Sequence, residues 1–331
     1  MKPPRLGLGA GLGLAAIGAF GYAGLAGWSR QAWVADLPLR ELELELDRWL
    51  AELGVSARHR YVHTTVGRVH VLDAGGGGDA VVLIPGLADS AGEFGAIIGA
   101  LADRHRVVVI DRPGTGLSDP IGFSGHPRDA WIRVIATVAD QLELGRFILA
   151  GHSLGGLAAG AFATAHPERV RRLVLVSPLG LERRTPLAWS LMLIPGVSGL
   201  FAASARAHWR GAIPRPWGAS APSCVSQGLS PMQAYLRDVA LRFGPGSDVG
   251  ALGRLLRPPS LHPESLLLPG LGLLADRTLV VWGSQDRRLP LAGARGALRH
   301  HRGLRLRVVE GAGHLLPYEQ PELVAELIVG G

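Results

Sequence analysis

Three residues of this chain could do chemistry together: Ser153, set in Gly151-His152-Ser153-Leu154-Gly155, then Asp286 and His314. A serine hydroxyl is a poor nucleophile at neutral pH unless a base takes its proton, and a histidine serves as that base only when an acid fixes its tautomer. Each of the three follows an apolar run. Ser153 follows Phe147-Ile148-Leu149-Ala150; Asp286 follows Leu279-Val280-Val281-Trp282 across Gly283-Ser284-Gln285; His314 follows Val308-Val309-Glu310 across Gly311-Ala312-Gly313. Short apolar runs bounded by glycine read as buried strands, so all three polar residues are expected at C-terminal strand ends, where sites in open parallel sheets collect.

The serine requires a particular backbone. Residues 154–166 are small and apolar enough to begin a helix at once, so the strand turns straight into a helix and holds Ser153 in a tight bend. Gly151 and Gly155 are then expected where a side chain would collide with the neighbouring strand and helix. The Leu154 N–H falls at a helix N-terminus, where it can help hold an oxyanion. In a chain with 47 glycines this five-residue pattern is a weak signal by itself, and the partners give it weight. Asp276 and Glu264 are further candidates for the acid, Asp286 could be only a helix N-cap, and His152 reads as structural, pointing away from the nucleophile.

The elements that must position these residues alternate. Residues 60–65 and 68–73 read as a hairpin around Val66-Gly67, and residues 80–84, 106–110, 170–177, 278–283 and 304–310 read as further strands. Helical stretches over residues 92–102 and 128–142, and after each of the last two strands, separate them. Strands alternating with helices imply an α/β fold with a mostly parallel sheet flanked by helices. Between residues 179 and 275 the alternation stops in a stretch rich in Pro, Gly, Trp and Arg, too long for a loop, which reads as an inserted helical cap. The expected organisation is an N-terminal segment and linker over residues 1–36, an amphipathic connecting helix within 37–57, a core over 58–178 and 276–331, and the cap over 179–275.

The N-terminal segment carries no charge over residues 6–28, flanked by Lys2 and Arg5 before it and Arg30 after it. Such a run is long enough for a transmembrane helix across a bilayer core of about 30 Å. The expectation is a membrane anchor with the catalytic domain on the non-cytoplasmic side; the competing reading is a signal peptide cut before Gly27, giving a secreted protein.

Composition removes other classes. Hydrophobic residues make up 47% of the 331, too many for a disordered chain. The net charge of +7 comes from scattered arginines without a basic, aromatic-interleaved strip, which is not the footprint of a nucleic-acid site. The single Cys224 permits no internal disulfide and has no matching ligands, and the adjacent His300-His301 is not a metal-binding spacing, so no metal is expected; acyl transfer through the serine would require no cofactor.

From about Arg58 onward the chain resembles the α/β-hydrolase superfamily, on the elbow motif, the chain order Ser153, Asp286, His314, and the segment Asp111-Arg112-Pro113-Gly114-Thr115-Gly116-Leu117-Ser118, which is similar to that superfamily's Asp-x-x-Gly-x-Gly-x-Ser loop. Within it, Gly-His-Ser-Leu-Gly-Gly and the N-terminal segment resemble membrane-anchored serine esterases and monoacylglycerol lipase-like members. The resemblance implies a second oxyanion donor in the backbone N–H of Leu87, after Pro85-Gly86, where the common form of the motif is His-Gly. It also implies a serine hydrolase with the carboxylesterase or lipase chemistry of an acyl-enzyme; the apolar residues Trp189, Met192, Ile194 and Phe201 of the expected cap read either as cap core or as a lid suited to an apolar acyl ester. Thioester hydrolysis, carbon–carbon bond hydrolysis, acyl transfer and cofactor-free perhydrolysis use the same triad, and a non-catalytic binding protein on this fold is the remaining alternative. Acyl chain length and oligomeric state are left open by the sequence.

Overall fold

The computed structural model describes residues 39–122, 127–181, 268–299 and 303–330, with the single positions Val197, Leu200 and Ser247. Eight strands form one sheet: β1 (Ala57–Thr64), β2 (Gly67–Ala74), β3 (Ala80–Ile84), β4 (Arg106–Ile110), β5 (Phe147–His152), β6 (Val170–Val176), β7 (Thr278–Gly283) and β8 (Arg305–Val309), in the order β1-β2-β4-β3-β5-β6-β7-β8. The β1–β2 hairpin joins the sheet antiparallel to β4, and all pairings from β4 through β8 are parallel.

Parallel strands need crossover connections, and the helices that supply them cover both faces. Helices α3 (Pro127–Gln141), α4 (Leu154–Ala165) and α5 (Leu291–Leu298) lie on one face, against Val82, Ile84, Leu149 and Val280. Helices α1 (Leu39–Glu52), α2 (Gly95–Leu101) and α6 (Pro321–Val329) lie on the other, against Val81, Leu83, Val107 and Val281. Neighbouring strand residues go to opposite clusters, as the two-residue side-chain period requires. Because both faces are covered, the central strands are apolar throughout rather than alternating.

Helix α1 buries Leu42, Leu46 and Leu50 in this second cluster. It is also tied to the sheet by a polar chain: Asp47 meets His59 Nε2 at 3.0 Å, His59 Nδ1 meets His70 Nε2 at 2.8 Å, and His70 Nδ1 meets Asp111 Oδ2 at 2.7 Å. Asp111 further accepts from the N–H groups of Ala91 and Leu117. One buried carboxylate therefore ties the loop after β4 to the 3-10 turn Ala91–Phe94 that follows β3.

One expectation is corrected here. Among the described residues no helix is long and apolar enough to cross a membrane, and the span expected over residues 6–28 lies outside them. The transmembrane anchor, the membrane as a partner and the non-cytoplasmic placement have no support in the structure and are withdrawn. The cap expected over residues 179–275 also falls almost wholly outside the described residues.

Candidate active site

Ser153 stands between β5 and α4 with φ +51° and ψ −115°. A non-glycine residue in that region costs on the order of 1–3 kcal/mol and persists only where its surroundings dictate it. They do so here by hydrogen bonding: the Ser153 N–H donates to the Val176 carbonyl at 2.9 Å, and the Ser153 carbonyl accepts from Leu179 N–H at 2.9 Å. The two flanking glycines are required by close approach. A Cβ at Gly151 would overlap the Gly155 carbonyl, and one at Gly155 would overlap the carbonyls of Ile84 and Pro85.

The turns after β7 and β8 bring the two partners to this serine. His314 Nε2 lies 3.1 Å from Ser153 Oγ, and His314 Nδ1 lies 2.7 Å from Asp286 Oδ2. A carboxylate only accepts, so Nδ1 carries the proton, and Nε2 of the neutral ring accepts from the serine hydroxyl. The other carboxylate oxygen of Asp286 accepts from the N–H groups of Arg288 at 2.9 Å and Leu289 at 2.8 Å. Asp286 therefore closes its own turn as well as meeting His314, but it is not the N-cap of α5, a position that Pro290 occupies. Asp276 precedes β7 rather than following it, at the opposite end of that strand, and Glu264 lies outside the described residues.

The turn after β3 passes directly over the serine. A Cβ at Gly86 would sit 3.6 Å from the Ser153 Cβ. Buried Arg112 donates through Nε to the Pro85 carbonyl at 3.1 Å and through Nη2 to the Gly86 carbonyl at 2.6 Å. In a trans peptide the N–H points opposite to the carbonyl, so the Leu87 N–H is turned away from Arg112. Leu154, the first residue of α4, has an N–H with no acceptor inside its helix. Pro85 in place of the histidine of the common motif leaves both the glycine and this peptide orientation intact.

Residues 79–321 of this chain, on its mostly parallel sheet, are matched by the family model described as alpha/beta hydrolase fold. The chain belongs to the α/β-hydrolase fold family. It is similar to a 2-hydroxy-6-oxononadienedioate/2-hydroxy-6-oxononatrienedioate hydrolase of Burkholderia vietnamiensis, 42% identical over 129 residues; that match spans 37% of this chain and 45% of the relative's length. A hydrolase of the same description from Cupriavidus pinatubonensis is 27% identical over 271 residues, which cover 79% of this chain and 89% of that protein. Among solved structures, a carboxylesterase of Bacillus subtilis superposes with a TM-score of 0.66 at 23% identity, over 88% of this chain and 96% of that one, a likeness of fold.

In this α/β-hydrolase the neutral base form of His314 is favoured. Burial pushes its pKa below the ordinary histidine value; the hydrogen bond to Asp286 opposes that, and the neighbouring His152 adds to the depression. Sequence reasoning missed the group beside it. Glu93, on the short 3-10 turn Ala91–Phe94, is buried, accepts the Gly86 N–H at 2.7 Å and forms a close ion contact with His152 Nδ1. Its place at the start of a helical stretch reads as solvated, and only the fold turns it inward. The lid residues Trp189, Met192, Ile194 and Phe201, together with Cys224 and His300-His301, lie outside the described residues.

Proposed function

We propose that the chain is a serine hydrolase cleaving carboxylic esters, a carboxylesterase or lipase whose substrates are apolar acyl esters, monoacylglycerols among them. The observation that carries this reading is the continuous hydrogen-bonded line from Asp286 through His314 to Ser153, at 2.7 and 3.1 Å. His314 Nε2 accepts the hydroxyl proton as Ser153 Oγ bonds to the acyl carbon, and the carbonyl electrons move onto oxygen, held by the Leu87 and Leu154 N–H groups. Collapse of that intermediate breaks the ester C–O bond, and His314 returns the proton to the departing alcohol. Water then repeats the sequence on the acyl-enzyme, releasing the acid and restoring Ser153.

A serine at the elbow supports acyl rather than alkyl transfer, because an attacking alkoxide needs the base that His314 supplies. In this reading residues 179–275 form the lid, and their apolar stretch with Trp189, Met192, Ile194 and Phe201 supports an apolar acyl partner. A second reading, hydrolysis of a carbon–carbon bond on the same triad, is favoured by the names of the two relatives above.

The full chain should be assayed on a chain-length series of p-nitrophenyl esters and monoacylglycerols, and in parallel on 2-hydroxy-6-oxononadienedioate. Ester turnover that Ser153→Ala abolishes supports the first reading. Preferential cleavage of the dienedioate moves the assignment to the second, and turnover of neither by folded protein defeats both.

A further inference from the structure

His152 stands beside the nucleophile but faces away from the acyl site, and both of its ring nitrogens meet acceptors. Nε2 lies 2.9 Å from the His314 carbonyl oxygen, which can only accept. Nδ1 forms a close ion contact with Glu93 Oε1, and neither of those two atoms has a hydrogen-bond partner among the described residues. With Glu93 ionised, an acceptor at each ring nitrogen requires two N–H donors, and an imidazole carries two only as the cation. The second Glu93 oxygen is occupied by the Gly86 N–H at 2.7 Å.

We propose that His152 is a standing imidazolium, a positioning residue that with Glu93 fastens three turns of the site together and keeps His314 in its proton-accepting form. The proposal rests on the serine-hydrolase reading of the triad. The three turns are the one after β3, held through Gly86; the elbow, which carries His152; and the one after β8, held through the His314 carbonyl. The effect on the base follows from proximity: the His152 and His314 ring centroids are 4.9 Å apart, tilted at 51°. A fixed positive charge at that range disfavours a second one on His314.

Other charged groups face the pair. Asp89, in the turn after β3, accepts from Tyr318 Oη at 2.9 Å, and burial, together with the Glu93 carboxylate, holds its pKa well above the usual carboxylate range. Arg112 binds the carbonyl side of Gly86, Asp286 meets His314 Nδ1, and the charge of Arg288 also bears on His314. Against this background, burial opposes the charge on His152, but Glu93, the His314 carbonyl and Asp89 outweigh it and raise its pKa.

The test is a nitrogen-15 NMR titration of the histidines in the full chain, with assignments from His152→Gln and His314→Ala, alongside the pH dependence of fluorophosphonate labelling. In wild type, both His152 nitrogens should keep the protonated signature above pH 8, where an ordinary imidazole, with a pKa of about 6.5, is neutral. His152→Gln should raise the His314 titration and the acid limb of labelling by about one pH unit. Glu93→Gln keeps an acceptor for the Gly86 N–H but donates to His152 Nδ1, so the imidazolium signature should vanish while the fold is retained. A purely structural His152 would slow labelling equally at all pH and leave the His314 titration in place. That result, or a neutral His152 at pH 7, overturns the proposal. Failure of wild type to label at any pH instead removes the serine-hydrolase reading, and the two NMR titrations still decide the state of His152.

Discussion

Asp286→Asn separates orientation from stability in the triad, because the two carboxylate oxygens have different work. Oδ1 accepts from the backbone N–H groups of Arg288 and Leu289, and Oδ2 accepts from His314 Nδ1. An asparagine must keep its carbonyl toward the two backbone donors, since the opposite placement sets N–H against N–H twice. Its amide group then donates to His314 Nδ1, and the imidazole proton moves to Nε2. That nitrogen now donates toward Ser153 Oγ instead of accepting from it, and the serine loses its base. The same change of tautomer in the general Ser-His-Asp template lowers kcat about 10⁴-fold, or about 5.5 kcal/mol of transition-state stabilisation. Both backbone donors remain satisfied, so folding stability should change by less than about 1 kcal/mol. Asp286→Ala removes both acceptors, orphans the N–H of buried Leu289, and should cost about 1–3 kcal/mol as well. The assay is steady-state turnover of the best ester from the chain-length series, with thermal melts of both variants. An Asp286→Asn enzyme that melts normally and turns over within about tenfold of wild type would refute the assigned role of Asp286.

Three further outcomes follow from the same coordinates. Only neutral His314 accepts the serine proton, and its pKa is depressed, so kcat/KM should be full above that pKa and fall as pH drops through it, with an acid limb below about pH 6.5; a limb above that value contradicts the electrostatics. Gly155→Ala places a methyl group on the Ile84 and Pro85 carbonyls, neither of which is the end of a flexible side chain, so the variant should lose about 3 kcal/mol or more and melt several degrees lower; an unchanged melt contradicts the elbow geometry. Buried Asp73 is held by Arg60 Nε at 2.7 Å and by Arg106 Nε and Nη2 at 3.0 Å. Burial alone would raise its pKa, but the two guanidinium groups bring it below the usual value. A folded pKa below the unfolded one gives stability that is present above about pH 4 and lost as pH falls through the lower value. Urea unfolding should therefore show wild type losing more stability than Asp73→Asn between pH 7 and about pH 3, and Asp73→Asn starting about 2 kcal/mol lower at pH 7; parallel losses would contradict this.

What could be read from the sequence was whatever depends on short-range pattern. The run Phe147-Ile148-Leu149-Ala150, the glycines around Ser153 and the apolar strands before Asp286 and His314 locate each element from its own residues, and the parallel α/β class follows from their alternation. The insertion of β4 between β2 and β3 was not legible, because the order of strands is set by packing across the sheet rather than by any strand's composition. Glu93 was missed for a related reason: a glutamate opening a helical stretch looks solvated, and its inward turn depends on His152, distant in sequence, as well as on the nearby Gly86 N–H. His152 was read as structural; its contact with the His314 carbonyl, 162 positions away, could not be read from the sequence. The charge-free run over residues 6–28 led furthest from the structure, since length and hydropathy alone suggested a span that no described helix provides.

The central claim, a working nucleophile and base at Ser153 and His314, is met most directly by fluorophosphonate labelling of the full chain, read by intact mass and peptide mapping. The account predicts a single adduct on Ser153 that is absent from Ser153→Ala and nearly absent from His314→Ala. Folded protein that takes up no label, or labels to the same extent without His314, would contradict it.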